Sequence, residues 1–177
     1  MVAKADLSKL NCSLARALNT VGDWWALLIV RDAFLGSTRF SEFEKSLGIA
    51  KNILSARLDG LVREKILARE GSPPRPSYSL TRKGQELAPA LVALMQWGDK
   101  WESGGKPPML VMDDRGDPIQ RVVLRTKKQR AVSLVSIQFK PGPGANAMTR
   151  AFMTGPQKVE ARKRANAWMP KTAAIEE

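Results

Sequence analysis

The apolar residues in the first third of the chain recur at the spacing of helices and are interrupted by glycine. Residues 12–20 predict a short helix that ends at Gly22, and Asp23 suits the N-cap of a second helix over residues 24–35. This second segment is apolar on nearly every side, so we expect it to form the buried centre of a domain.

Two shorter amphipathic segments follow, with a tight break between them. Apolar side chains recur at helical spacing in residues 39–47 and again in residues 50–65. Gly48 between them can adopt the positive φ of a turn, and Ile49 is expected to pack beneath the second helix. Two helices joined by a short turn with glycine are typical of a helix-turn-helix, although ordinary helical cores contain the same pattern.

The pattern then changes to that of a β-hairpin. Residues 66–70 and 77–80 predict two strands, and residues 71–76 between them include three prolines and Arg75. Proline lacks the backbone donor that a helix interior or a central strand requires, so this stretch is predicted to be a stiff loop. A hairpin directly after a helix-turn-helix is called a wing, and its presence favours a winged helix-turn-helix over an ordinary helical core.

A long helix and a less regular extension complete the pattern. Thr81 is predicted to cap a helix over residues 82–101, with a mild kink at Pro89. Glycine and proline then mark a linker. Beyond the linker we expect three strands, at residues 109–112, 119–124 and 132–139. Residues 157–168 are expected to form a basic helix, or a tail that becomes ordered only on binding a partner.

These elements predict a fold class and a domain division. The fold class is mainly α with a small β wing. A winged helix-turn-helix domain is expected over residues 1–102 and a linker over residues 103–108. Residues 109–177 would form a basic C-terminal extension, β-rich and then helical or partly flexible.

Net charge and the types of residue present limit the classes of function that the chain can have. Lysine and arginine number 29 against 17 aspartate and glutamate, a net charge of +12. Such an excess favours a polyanionic partner, because binding releases condensed counterions. The chain has no histidine and a single cysteine, Cys12, which excludes a histidine-dependent triad, an internal disulfide and the usual imidazole or thiolate metal sites. We expect no enzyme, no metal and no cofactor.

The sequence carries no sign of export or of membrane insertion. The first residues lack the apolar core of a signal peptide, and the most apolar run, residues 24–30, is too short to span a bilayer. A lone cysteine suits a reducing compartment. These observations lead us to expect a cytoplasmic protein.

Several short motifs lie along the first domain: CSLARAL at residues 12–18, VGDWW at 21–25, RFSEF at 39–43, LSARL at 54–58 and YSLTRKGQEL at 78–87. In this order they resemble the HxlR-type regulators, relatives of the MarR group, over residues 10–102. The resemblance implies a winged helix-turn-helix that binds operator DNA as a homodimer. The extension is similar to one that carries cysteine pairs in some members. Here the GPGA segment at residues 142–145 remains without those cysteines, so a metal-free appendage is expected.

The resemblance also implies which residues would contact DNA. The recognition helix would be residues 50–65, whose first turns enter the major groove. Asparagine can pair with adenine in a bidentate manner, and an arginine at a wing tip suits the negative potential of a minor groove. The homodimer would form through the N-terminal helix and residues 82–101. The candidate contacts to DNA are Arg39, Lys51, Asn52, Ser55, Arg57 and Arg75.

Two signals are candidates for releasing such a regulator, which is expected to be a repressor. Cys12 stands where some relatives carry a redox-sensing thiol, and it also fits a small buried hydrophobe. Alternatively, four tryptophans line a pocket for a small apolar effector, or are plain core: Trp24, Trp25, Trp97 and Trp101. Two other functions stay open, namely a sequence-neutral, architectural DNA-binding protein driven by the basic tail and a protein–protein interaction module.

Overall fold

The computed structural model describes residues 7, 9–72, 74–133, 136–156 and 159–160. The chain divides into two compact units, Met1–Val122 and Val123–Glu177. The first unit therefore extends beyond the linker predicted from composition. The assignment of separate domains to either side of that linker stays a prediction.

The first unit is mainly helical with one two-stranded antiparallel sheet, as the sequence predicts. Its elements in chain order are α1 (Ser13–Val21), α2 (Trp24–Phe34), α3 (Phe40–Leu47), α4 (Lys51–Arg63), β1 (Leu67–Glu70), β2 (Ser77–Leu80), α5 (Arg82–Gln85) and α6 (Ala88–Trp101). The second unit contains α7 (Ala147–Thr154), which the sequence pattern did not predict. No helix in the described parts of the chain is both long and apolar enough to cross a bilayer.

The core forms where α2 meets the helix-turn-helix. Ile29 and Val30 of α2 are fully buried, as are Phe43 of α3 and Leu54 and Leu58 of α4. Leu54, Leu58 and Leu61 of α4 recur every three or four residues, as do Ala26 and Ile29 of α2, so both helices turn one apolar face inward. The core therefore holds α4 with its opposite face toward solvent.

Only one face of α2 is buried, although its sequence is apolar on nearly every side. Trp24 at its start is 74% exposed, and Phe34 at its end is also exposed. The predicted N-cap is confirmed, because the Asp23 carboxylate accepts a hydrogen bond from the backbone of Trp25 at 3.0 Å. α2 packs against α1, α3, α4 and β2 at the centre of the first unit, as expected, although within a single chain these elements cover just part of its circumference.

The wing is a regular hairpin that is tied to the start of α3. Leu67 of β1 pairs with Leu80 of β2. On the other edge of β2, the backbone of Tyr78 donates to the carbonyl of Thr38 at 2.8 Å. The rings of Phe43 and Tyr78 meet edge to face, with centroids 6.3 Å apart. Backbone and aromatic contacts together fix the wing beside the helix-turn-helix.

The single helix predicted over residues 82–101 is two helices, so the mild kink predicted at Pro89 is wrong. α5 ends at Gln85 and α6 begins at Ala88. A proline inside a continuous helix would clash with the carbonyl four residues earlier, which here belongs to Gln85. In the first turn of α6 the same proline loses no hydrogen bond. The predicted cap is confirmed, since the Thr81 hydroxyl accepts from the backbone of Gly84.

The chain after α6 returns along that helix within the first unit. The Gln96 side chain donates to the carbonyl of Gln120 at 3.1 Å and accepts from the backbone of Val122 at 2.8 Å. Where two strands were predicted at residues 109–112 and 119–124, the pairing is a single bridge between Met112 and Pro118. An amide side chain thus supplies bonds that a strand partner would have made.

The second unit has less regular pairing than the sequence predicts. A single bridge joins Arg125 and Ala131. The described residues of the third predicted strand, 132–133 and 136–139, form no strand. The predicted basic helix at 157–168 lies outside the described residues except for 159 and 160.

Candidate nucleic-acid interface

The first turns of α4 present polar side chains to solvent. Gly48 ends α3 with a φ of +59°, and α4 begins two residues after Ile49, which is buried. Because Leu54, Leu58 and Leu61 face the core, the opposite face of the helix is turned outward. Asn52 and Ser55 lie away from the buried stripe and are exposed. Lys51 precedes Leu54 by one turn and is exposed because it begins the helix.

Lys51 is only loosely held. Its ammonium nitrogen lies 3.7 Å from a carboxylate oxygen of Glu44, and its side chain is 77% exposed. An exposed ion pair of this kind contributes little to stability, because water and salt screen it. Lys51 can therefore exchange this partner for a phosphate at small cost.

Arg57 is placed differently from the other predicted contacts. Its Nη2 lies 2.7 Å from Oδ2 of Asp23, the residue that caps α2. Its Nε is buried and has no hydrogen-bond partner among the described residues. The structure thus joins Arg57 to the start of α2, and a contact between Arg57 and DNA stays a prediction.

Arg39 and Arg75, which lie far apart in sequence, are directly connected. Nη1 of Arg39 donates to the backbone carbonyl of Arg75 at 2.9 Å, and the backbone of Arg39 forms a β-bridge with Ser77. Both arginines are exposed. The Arg39 guanidinium therefore holds the wing loop by its backbone and leaves the Arg75 side chain in solvent.

Glu42 supports this junction and was not singled out from the sequence. Its Oε2 accepts hydrogen bonds from the backbone of Thr38 at 2.7 Å and of Arg39 at 2.9 Å. These two donors lower the pKa of Glu42 below its ordinary value, since they stabilise the carboxylate. A glutamate at the third position of a helix is the sequence signal that would have identified it.

The predicted sensor residue lies at the start of α1, and the predicted effector residues lie on α2 and α6. Cys12 is exposed at the N-cap of α1. Trp25 packs against the core, whereas Trp24 is exposed. Trp97 and Trp101 of α6 are exposed as well. A pocket formed by these tryptophans stays a prediction.

The two helices expected at the dimer interface carry exposed apolar side chains. α6 has no fully buried residue, although most of its side chains are apolar. A soluble monomer rarely leaves a large contiguous apolar patch uncovered. The exposed apolar residues of α6 and of α1 with its preceding turn are Leu94, Trp97, Trp101, Leu10, Leu14 and Leu18.

Comparison with known proteins gives a consistent set of relatives. The model of the HxlR-like helix-turn-helix family matches residues 20–105. The chain is similar to the HTH-type transcriptional regulator Mb3122 of Mycobacterium bovis, with 36% identity over 140 residues that cover 76% of this chain and 89% of the relative.

Two solved structures are similar over most of the chain. PA1607, a candidate transcription factor, superposes with a TM-score of 0.68 and 39% identity, covering 78% of this chain and 100% of that one. PA1374 of Pseudomonas aeruginosa, also a candidate transcription factor, has a TM-score of 0.57 and 34% identity, covering 78% and 98%. These likenesses extend beyond the helix-turn-helix and wing into the segment that follows.

Proposed function

Because the chain belongs to the HxlR-like helix-turn-helix family of transcriptional regulators, we propose that it binds a pseudo-palindromic operator as a homodimer and represses transcription there. The observation that carries the proposal is the exposed first turn of α4 beside a wing that Arg39 fastens. A helix with free polar side chains at its start and a basic loop alongside matches the major groove and the neighbouring minor groove of one duplex.

The recognition step divides into contacts that choose sequence and contacts that supply affinity. Asn52 is exposed and suits bidentate bonding to adenine, and Ser55 one turn later reaches a neighbouring base. Lys51 and Arg75 neutralise phosphates or enter the minor groove, which fixes the register of α4 without reading bases. Specificity would then reside in α4 and most of the salt dependence in the cations around it.

A homodimer would double the recognised length of DNA. The exposed apolar side chains of α1 and α6 would be covered by the same helices of a second copy, as in other two-fold interfaces. Two copies of α4 would then reach successive major grooves about 34 Å apart on one face of the duplex. A dimer bound across a promoter blocks access of the polymerase, which is the simplest route to repression.

We propose that release follows one of two signals. Cys12 is exposed, so an oxidant in solution can reach its thiol. The exposed tryptophans would instead suit a small apolar ligand at the dimer interface. Comparing the oxidant response of operator binding in the wild type and in Cys12→Ser separates these signals. An unchanged response in the variant would exclude thiol sensing.

The central experiment identifies the operator and then tests which residues read it. Duplexes selected by the protein from a random pool are compared with scrambled duplexes by fluorescence anisotropy. Asn52→Ala is expected to weaken binding to the selected duplex by roughly 10- to 100-fold, with little effect on the scrambled duplex. Arg75→Ala is expected to weaken both, and Arg115→Ala, an exposed arginine outside the interface, is the control.

The same experiment tests the alternative functions. Equal affinity of the wild type for selected and scrambled duplexes would contradict an operator-binding regulator and would favour the sequence-neutral, architectural protein. Full retention of affinity in both Asn52→Ala and Arg75→Ala would instead favour a protein–protein module.

A further inference from the structure

The middle of the extension is basic without any acidic residue. Between Asp117 and Glu160 the sequence contains eight lysines and arginines and no aspartate or glutamate. Among the described residues of the first unit, by contrast, four arginines are ion-paired with carboxylates, namely Arg31, Arg57, Arg69 and Arg82. The cations of the extension therefore have few neighbours along the chain that could neutralise them.

Four basic residues of this stretch lie in one ordered turn, residues 125–130. The backbone of Gln129 donates to the carbonyl of Thr126 at 2.9 Å, which closes a β-turn with Lys127 and Lys128 at its centre. Gln129 then adopts a φ of +60°, and the backbone of Thr126 donates to the carbonyl of Arg130 at 2.9 Å. This arrangement resembles a short hairpin connection, in which a left-handed residue follows a turn.

Side chains reinforce the turn from within. Nη1 of Arg125 donates to the carbonyl of Gln129 at 2.9 Å, and the Thr126 hydroxyl accepts from the backbone of Arg130 at 3.3 Å. The Arg125 guanidinium thus stabilises the backbone of the turn. Lys127, Lys128 and Arg130 are exposed, and none of them has a carboxylate within ion-pair distance among the described residues.

We propose that the basic turn, residues 125–130, is a second DNA-binding element that contacts the phosphodiester backbone. The turn is ordered by its own hydrogen bonds, so little backbone conformational entropy is lost when its cations meet phosphates. Lysine presents a point charge with no preference among bases, and the turn would add affinity without adding sequence preference. This inference rests on the proposed function, since the polyanion is the duplex that α4 reads.

The test removes the two central charges in the full-length chain. Lys127→Gln/Lys128→Gln is compared with Lys106→Gln/Arg115→Gln, which removes two exposed charges from the segment after α6. Binding to the selected and scrambled duplexes, both long enough to extend beyond two half-sites, is measured over a range of salt concentrations. Circular dichroism confirms that each variant is folded.

The turn variant is expected to bind both duplexes roughly tenfold more weakly at low salt, with its preference between them unchanged. Its plot of log K against log salt should be less steep by about 2 for each protomer, because two phosphate contacts are lost. The control variant should differ from the wild type by much less. An unchanged affinity and slope in the turn variant would overturn the inference while leaving the operator preference of the wild type intact.

Failure of the proposed function and failure of the basic turn give different results. If the wild type shows no preference for the selected duplex, the proposed function fails, but the change in salt slope still decides whether the turn binds phosphates. Binding to phosphatidylserine vesicles is measured in parallel. Loss of vesicle binding in the turn variant, with DNA binding unchanged, would overturn the inference in favour of a membrane surface.

Discussion

At Gly84 two parts of the first unit approach more closely than any larger side chain permits. A Cβ atom there would lie 2.3 Å from the carbonyl oxygen of Ile66 and 3.0 Å from Cδ2 of Leu80. The Ile66 oxygen belongs to the backbone, which cannot rotate away as a flexible side chain would. The glycine is therefore required for α5 to pack against the base of the wing.

Gly84→Ala is accordingly expected to lower the free energy of unfolding by about 2 kcal/mol, as overpacked substitutions do. Gly60→Ala is the matched control, because the nearest atom to its added Cβ would be the end of the Arg63 side chain at 3.9 Å. Within α4 the control should raise the free energy of unfolding by about 0.5–1 kcal/mol. Urea denaturation of both variants measures the difference, and equal stabilities would contradict the close packing.

Arg57 provides a second prediction at this scale. Arg57→Gln should lower the free energy of unfolding by about 1 kcal/mol, because it removes the ion pair with Asp23 at the cap of α2. Ser55→Ala on the exposed face of the same helix should leave stability nearly unchanged. If Arg57→Gln weakens operator binding but not stability, the guanidinium acts on DNA and not on the fold.

The junction of α3 with the wing shows how one element positions another. Glu42 holds the backbone before α3, and that backbone pairs with β2 through Thr38 and Arg39. Since the wing depends on this edge, loosening the start of α3 should loosen the wing as well. We therefore expect protonation of this one exposed carboxylate to loosen the candidate interface.

This junction predicts a specific dependence on pH. Because the pKa of Glu42 is lowered in the folded state, its contribution to stability is complete above the unfolded pKa, about 4.3, and is lost as the pH falls through the lowered value. Glu42→Gln should therefore lower Tm at neutral pH, and the difference from the wild type should shrink below about pH 4. A difference that stays constant as the pH falls below the unfolded pKa would contradict the assignment. Glu86→Gln is the control.

For the whole molecule, we propose that the apolar face of α6 forms the dimer interface. Leu94 and Trp97 are exposed in a single chain, so replacing them should not disturb the core of a protomer. Leu94→Asp/Trp97→Asp is expected to shift the protein from a dimer to a 19.5-kDa monomer in light scattering. Met148→Asp replaces an exposed apolar residue of α7 and should leave the mass unchanged. A variant that stays dimeric would place the interface elsewhere.

Much of the first unit could be predicted from the sequence because its signals are local. Asp23 and Thr81 cap helices through bonds to a backbone two or three residues away. Gly48 adopts its positive φ by virtue of lacking a side chain. The alternation and prolines of the wing likewise act within a few residues. In each case the interacting groups are close in sequence, so the interaction can be predicted without knowledge of the tertiary structure.

The arrangement of the candidate interface depends on contacts between residues that are far apart in sequence, and these contacts could not be predicted from the sequence alone. Packing brings Arg39 to the carbonyl of Arg75 and Arg57 to Asp23, across separations that no periodic pattern encodes. It also leaves Trp24 exposed, because apolar character does not say which neighbour covers a side chain. By itself the sequence determined, over residues 13–80, which segments form helices and strands and which faces are apolar. Only the tertiary structure decided which charges are paired and which stay free, since that depends on where folding places each backbone.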